Sequence, residues 1–269
     1  MPESTRDRQV NTRPPAVAGM FYPGEARELA ATVCRLLDGA DARPGAAPKA
    51  LIVPHAGYVY SGPVAASAYR ELEAMAERIR RVVLIGPAHR VALKGMAFPS
   101  VDAFSVPTGS VRLDRAAIDA ALKLPGTCVS DQAHAQEHSL EVHLPFLQAV
   151  LSDFELVPIV VGRCPATEVA QVLEFLWGGE ETLVVVSSDL SHYHPYDAAR
   201  TIDAHTTAKI LARATDLTGE EACGAYAING LMLAARGHGL SVHTLDVRTS
   251  GDTAGDRRQV VGYGAYALD

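Results

Sequence analysis

Apolar and polar positions follow two periods along this chain. Residues 51–53, 82–85 and 183–186 are continuous apolar runs rich in Val, Ile and Leu and closed by Pro, Gly or Ser, a pattern that suits strands buried on both faces of a parallel sheet. Between them the spacing becomes helical. Residues 26–37 place Leu29, Val33, Leu36 and Leu37 on one face, and helices are predicted over 62–79, 114–122, 139–151 with a kink at Pro145, 166–176, 196–215 and 224–237. The strands predicted are the first run, then 81–85, 156–161, 183–186, 241–249 and 259–266, with short strands and turns over 91–113. Alternation of this kind predicts an α/β fold: one three-layer αβα domain around a central mixed, largely parallel sheet, its last strands antiparallel. Residues 1–13 read as a flexible arm, 14–24 as an irregular lead-in to the domain over 14–269, and the Gly- and Pro-rich stretch 39–48 as a linker.

Composition narrows the function classes. With 269 residues, 48% of them hydrophobic, the chain can bury one large core, and its net charge of -7 without a Lys/Arg cluster speaks against nucleic acid or an anionic membrane as partner. The polar N-terminal stretch and the absence of a bilayer-length apolar run predict a cytoplasmic protein. Cys34, Cys128, Cys164 and Cys223 lack CxxC spacing, so neither a disulfide framework nor a zinc ribbon is indicated.

Each of the three apolar runs ends in a polar cluster with a histidine: His55 after the first, His89 after the second, Asp189 and His192 after the third. In open α/β sheets ligands bind beyond the carboxyl ends of the strands, so these histidines are expected to share one cleft. His55 and His89 are the candidate metal ligands, since neutral imidazole suits divalent transition metals and two of them need a further donor. Cys223 is that candidate: it precedes a predicted helix, whose N-terminus favours a thiolate. Asp189 could hold the tautomer of His192 as a general base. Glu137, His138, Ser139, Glu141 and His143 form the densest ionisable cluster. There, Glu137 is a candidate partner for a metal-bound histidine, a solvated helix start is the simpler reading, and the spacing of His138 and His143 argues against joint chelation from one helix.

Taken in order, AVAGMFY (16–22), PHAGYVYSG (54–62), IGPAH (85–89), EHSLEVHLPF (137–146), VSSDLSH (186–192) and Cys223-Gly224 resemble the motifs of the Memo family, which includes members of the AmmeMemoRadiSam system. The chain departs from the family pattern just after Cys223, where Ala227 and Ile228 replace a usual Pro-Ile pair. The family's fold is similar to that of class III extradiol dioxygenases. The resemblance implies that His55 and His89 stand where those enzymes have iron-binding histidines and His192 where they have the catalytic one. Cys223 then replaces a glutamate ligand, and Asp189, Tyr58 and Tyr60 line the same cleft. Fe(II) is the metal the resemblance favours, with Cu or Zn also suited to a His-His-Cys set. The function expected is a non-haem metal-dependent redox enzyme acting on a small-molecule substrate. The alternative is a non-catalytic metal-binding or adaptor protein that docks a peptide ligand, and zinc-assisted hydrolysis is a third reading. The system name implies Amme-type and radical-SAM proteins as partners.

Overall fold

A computed structural model describes residues 10–43 and 47–269, and within them the three histidine-preceding runs form the centre of one sheet. Residues 1–9 of the expected arm and 44–46 of the expected linker lie outside the described residues.

In chain order the strands are β1 (Thr12–Arg13), β2 (Ala50–Val53), β3 (Arg81–Pro87), β4 (Met96–Phe98), β5 (Ala103–Val106), β6 (Gly109–Arg112), β7 (Thr127–Val129), β8 (Glu155–Val161), β9 (Thr182–Ser187), β10 (His192–His194), β11 (Val242–Thr249) and β12 (Val260–Leu268). The helices are α1 (Ala26–Asp38), α2 (Tyr58–Tyr69), α3 (Arg115–Ala121), α4 (Asp131–Ala135), α5 (Leu144–Val150), α6 (Ala166–Leu176), α7 (Tyr196–Leu211), α8 (Ala225–Gly237) and α9 (Ser250–Thr253). The main sheet runs β10-β12-β2-β9-β3-β8-β4-β7, with β11 also paired to β12, while β1, β5 and β6 form a small second sheet.

β2, β9, β3 and β8 are parallel neighbours, and β4 opposes β8. As the pattern predicts, the closing strands are antiparallel: β12 opposes β2, β10 and β11. Crossovers from β2 to β3 and from β8 back to β9 advance in opposite directions, so right-handed connections put α2 and α6 on opposite faces. That burial explains why Leu51, Val83, Leu84, Val184 and Val185 carry no exposed surface and why these runs are apolar throughout. Register then sets the site: Val53 lies level with Ser187 and Ile85 with Val186, so the loops after β2, β9 and β3 leave the sheet at the same end.

Three elements differ from their predicted form. Arg13, placed in the arm, is buried in β1, where it pairs with Glu141. The helix predicted over 62–79 begins earlier, at Tyr58, carries Pro63 inside it and gives way to a 3₁₀ turn at Arg70–Met75. The helix predicted over 139–151 is broken rather than kinked: a 3₁₀ turn at Glu141–His143 leads into α5, where Pro145 sits in the first turn and needs no hydrogen-bond donor. No helix of the described residues is long and apolar enough to cross a membrane.

Candidate metal centre

A cleft of about 1030 Å³ opens at the carboxyl ends of β2, β9 and β3, and His55, His89, His138, Asp189 and His192 line it. One ring nitrogen from each of His55, His89 and His138 lies within 4.8 Å of the others. The rings are 5.1 Å apart for His55 and His89, 5.5 Å for His55 and His138, and 4.8 Å for the stacked His89 and His138.

Hydrogen bonds on the far side of two of these rings fix which nitrogen is free. Glu137 accepts the His89 backbone N–H at 2.6 Å and the His89 Nδ1 at 2.9 Å, together with the N–H groups of His138 and Ser139 at 2.9 Å each. Burial alone would raise this carboxyl, but the bonds from His89 and its neighbours hold it down at about 2. An ionised carboxylate only accepts, so His89 directs an Nδ1–H at Glu137, and Nε2 is the nitrogen left to a metal. Ser187 Oγ lies 2.6 Å from His55 Nδ1 and does the same for the second ring. His138 Nδ1 is buried without a hydrogen-bond partner, 3.3 Å from Glu137 Oε1. Burial lowers His138 to about 4 and takes His55 well below its ordinary value, with the neighbouring histidines adding to the effect on His55. Two neutral imidazoles, one of them with an orphaned ring nitrogen, and a third whose Nδ1 is taken by Glu137 are a donor set for a divalent transition metal.

Cys223 reaches this cluster from the other side. Its Sγ lies 3.4 Å from His55 Nε2 and accepts the Asp189 N–H at 3.3 Å. Gly224 permits the approach, because a Cβ there would stand 2.6 Å from the Ser187 carbonyl oxygen. Cys223 falls outside the three-histidine set and lines a neighbouring cavity of about 470 Å³. The thiolate expected from the helix start is not the resting form: burial and then Asp189 push the thiol up to about 12. Burial of the sulfur, with Asp189 adding to it, outweighs a helix terminus worth about 0.3–1 kcal/mol in typical exposed settings.

Asp189 also departs from its expected part. Its Oδ1 accepts the His55 backbone N–H at 2.8 Å, and among the described residues it makes no hydrogen bond to His192. Burial raises it to about 7 against the pull of that bond. His192 lines the cleft from β10, lowered by burial while the Leu190 backbone supports its charged form. The next residue, Tyr193, has φ 60 and is 69% exposed. A bulky residue held in the left-handed region costs about 1–3 kcal/mol, and here Tyr193 lines the same cleft as His192, their rings 5.8 Å apart.

Tyr60 lines the cleft as expected, but Tyr58 does not: it is buried and its hydroxyl donates to the Val142 carbonyl at 2.6 Å. Glu137, read as a solvated helix start, is 2% exposed, and Glu141 is fully buried. Glu141 accepts Arg13 Nη1 at 2.6 Å, the N–H groups of Ala16 and Val17 at 2.7 and 3.0 Å, and the Tyr22 hydroxyl at 2.5 Å. It thereby seats the segment whose Phe21 packs 4.6 Å from the His138 ring. Ser187 is the residue that sequence reasoning missed, a serine closing an apolar run being indistinguishable from an ordinary strand end.

Residues 13–267 match the profile of a family described as Memo-like protein. The MEMO1 family protein of Aquifex aeolicus (strain VF5) is 37% identical over 271 residues, covering 94% of this chain and 98% of that protein. That of Ignicoccus hospitalis is 37% identical over 283 residues, covering 94% and 97% respectively. Among solved structures, the uncharacterized protein JW3007 from Escherichia coli K12 superposes with a TM-score of 0.55 at 14% identity, over 81% of this chain and 98% of that one. At that identity the likeness is one of fold.

Proposed function

This chain belongs to the Memo family, and from that premise we propose that its cleft is a metal-dependent redox site acting on a small organic substrate. The observation that carries the reading is the set of three ring nitrogens within 4.8 Å of one another, two of them freed by partners behind the ring. His55 and His89 would hold the ion, with Cys223 and His138 as further donors. Nitrogen and sulfur donors sharing a tetrahedral ion stand about 3.5 Å apart given metal–ligand bonds of about 2.0–2.3 Å, and the 3.4 Å between His55 Nε2 and Cys223 Sγ is close to that. Fe(II) is the ion favoured, then copper, with zinc as the redox-inert fit. The ion would supply oxygen-dependent redox chemistry. His192, neutral at pH 7 and facing the same cleft, would move a proton to or from substrate, while Asp189 anchors the His55 backbone. Extradiol-type ring cleavage is the specific reaction proposed.

Anaerobic reconstitution with Fe(II), followed by oxygen uptake on a panel of catechols and other small reductants, tests the reading. Substrate-dependent uptake that falls in His192→Ala supports it. Tight metal binding with no uptake across the panel would leave metal holding, or an adaptor role, as the function.

A further inference from the structure

The charged groups around the cleft are unevenly committed. Arg90, Arg258, Asp189 and Asp256 line it. Arg258 is occupied by Asp256: Nη2 and Nε donate to Oδ2 at 2.7 and 3.2 Å, and the Arg258 backbone N–H donates to Oδ1 at 2.9 Å. Asp189 is turned to the His55 backbone and Glu137 to His89. The ion pairs at the cleft join His89 and His138 to Glu137, His55 to Asp189, and Arg258 to Asp256; among the described residues Arg90 joins none.

Arg90 directly follows His89 in the chain and lines the same cleft as His89 and His138. A group held by this guanidinium can therefore belong to the same small molecule that faces the imidazole cluster. The same cleft is lined by the aromatic rings of Phe21, Tyr60, Tyr193 and Tyr263. On a chain of net charge -7, an uncommitted cation at the mouth of a cleft runs against the general field. An Arg fork matches a carboxylate in two parallel hydrogen bonds. A phosphate ester would bring a second charge, for which the cleft wall offers no second free cation.

We infer that the cleft receives a small organic carboxylate, a flat molecule whose anionic group pairs with Arg90 while its body lies against Phe21 and Tyr60 beside His89 and His138. The inference rests on the metal-site reading only for the end of the ligand that faces the imidazoles; the carboxylate contact is a property of Arg90.

The test is calorimetric titration with an isosteric pair, 2-hydroxybenzoate and neutral 2-hydroxybenzamide, on metal-free protein and on protein offered Zn(II), whose uptake is assayed separately. Wild type should prefer the carboxylate by at least about tenfold, the worth of one charge-assisted hydrogen bond. Arg90→Gln should abolish that preference without weakening the amide, and Arg258→Gln should keep it. Equal affinity for the two probes, binding of neither, or a preference that survives Arg90→Gln would overturn the inference. Failure to take up Zn(II) would count against the metal site instead, and the metal-free titration would still decide the part played by Arg90.

Discussion

Ser187 Oγ stands 2.6 Å from His55 Nδ1 while giving its own proton to the Ser139 carbonyl at 2.6 Å. A hydroxyl has one proton, so Ser187 can only accept from His55, which puts the imidazole proton on Nδ1 and leaves Nε2 free to face Cys223. The hydroxyl also meets His143 Nε2 at 2.9 Å, and His143 Nδ1 meets the Tyr69 hydroxyl at 2.8 Å. Every proton in this buried chain then has one place. Ser187→Ala is predicted to weaken metal binding by about 10–100-fold, as loss of a group behind a metal-bound histidine does. Competition titration measures the affinity, and nitrogen-15 NMR of the His55 ring in metal-free protein should show the tautomer shifting toward Nε2–H. An unchanged tautomer would contradict the assignment.

Metal binding should depend on pH through Cys223. Its thiol is pushed up to about 12 by burial and Asp189, whereas burial keeps His138 neutral above about 4. A ligand must shed its proton to bind, so affinity is predicted to rise about tenfold per pH unit between pH 6 and 8 if the thiolate coordinates. Cys223→Ala should be weaker at pH 8 and markedly flatter across the range. A wild-type affinity that does not change with pH would assign the third donor to His138 alone.

Stability of the metal-free protein should fall on acidification before the carboxylates titrate. Burial lowers His134 and His138 from 6.5 to about 4, and His143 to about 3. The unfolded chain takes up these protons first, so the contribution is intact above pH 6.5 and is lost as pH falls from there through the folded values. Asp189 opposes the trend: raised from 3.8 to about 7, it stabilises below pH 3.8 and loses that contribution as pH rises toward 7. His55, also taken well below its ordinary value by burial, acts in the same direction as the other imidazoles, so against the one carboxyl at least about two protons are taken up on unfolding near pH 5, or at least roughly 2–3 kcal/mol per pH unit. Urea unfolding at pH 5 and 6.5 measures it, and equal midpoints would refute the burial of these rings.

The pair Arg13 and Glu141 should be costly to break from one side. Both are buried, and Glu141 also holds the Ala16 and Val17 N–H groups and the Tyr22 hydroxyl. Glu141→Gln leaves a buried guanidinium without its counter-charge and is predicted to cost about 3–5 kcal/mol in denaturant unfolding. A loss below about 1 kcal/mol, typical of exposed pairs, would show that the N-terminal segment is not seated as described.

The sheet centre was legible because residues 51–53, 82–85 and 183–186 are apolar at every position, which a two-faced parallel strand requires and a surface strand does not. The convergence of His55, His89 and His192 on one cleft followed from strand direction alone. Other parts were hidden by what sequence spacing omits. Arg13 looked like part of a polar arm because its partner is 128 residues away. The family resemblance puts Tyr58 in the cleft, on a loop expected to precede a helix at residue 62, whereas the helix begins at Tyr58 and that hydroxyl donates to the buried Val142 carbonyl. Glu137 and Glu141 looked solvated because charge usually is. Their burial depends on donors from His89 and from residues 13–22, which no local pattern reveals.

The central claim is a metal centre at His55 and His89, and metal analysis by mass spectrometry of untagged protein purified anaerobically tests it most directly. Stoichiometric iron or copper in wild type, lost in His55→Ala and His89→Ala variants that remain folded, is the predicted result. A folded wild type that carries no metal and refuses added Fe(II), Cu(I) and Zn(II) would contradict it.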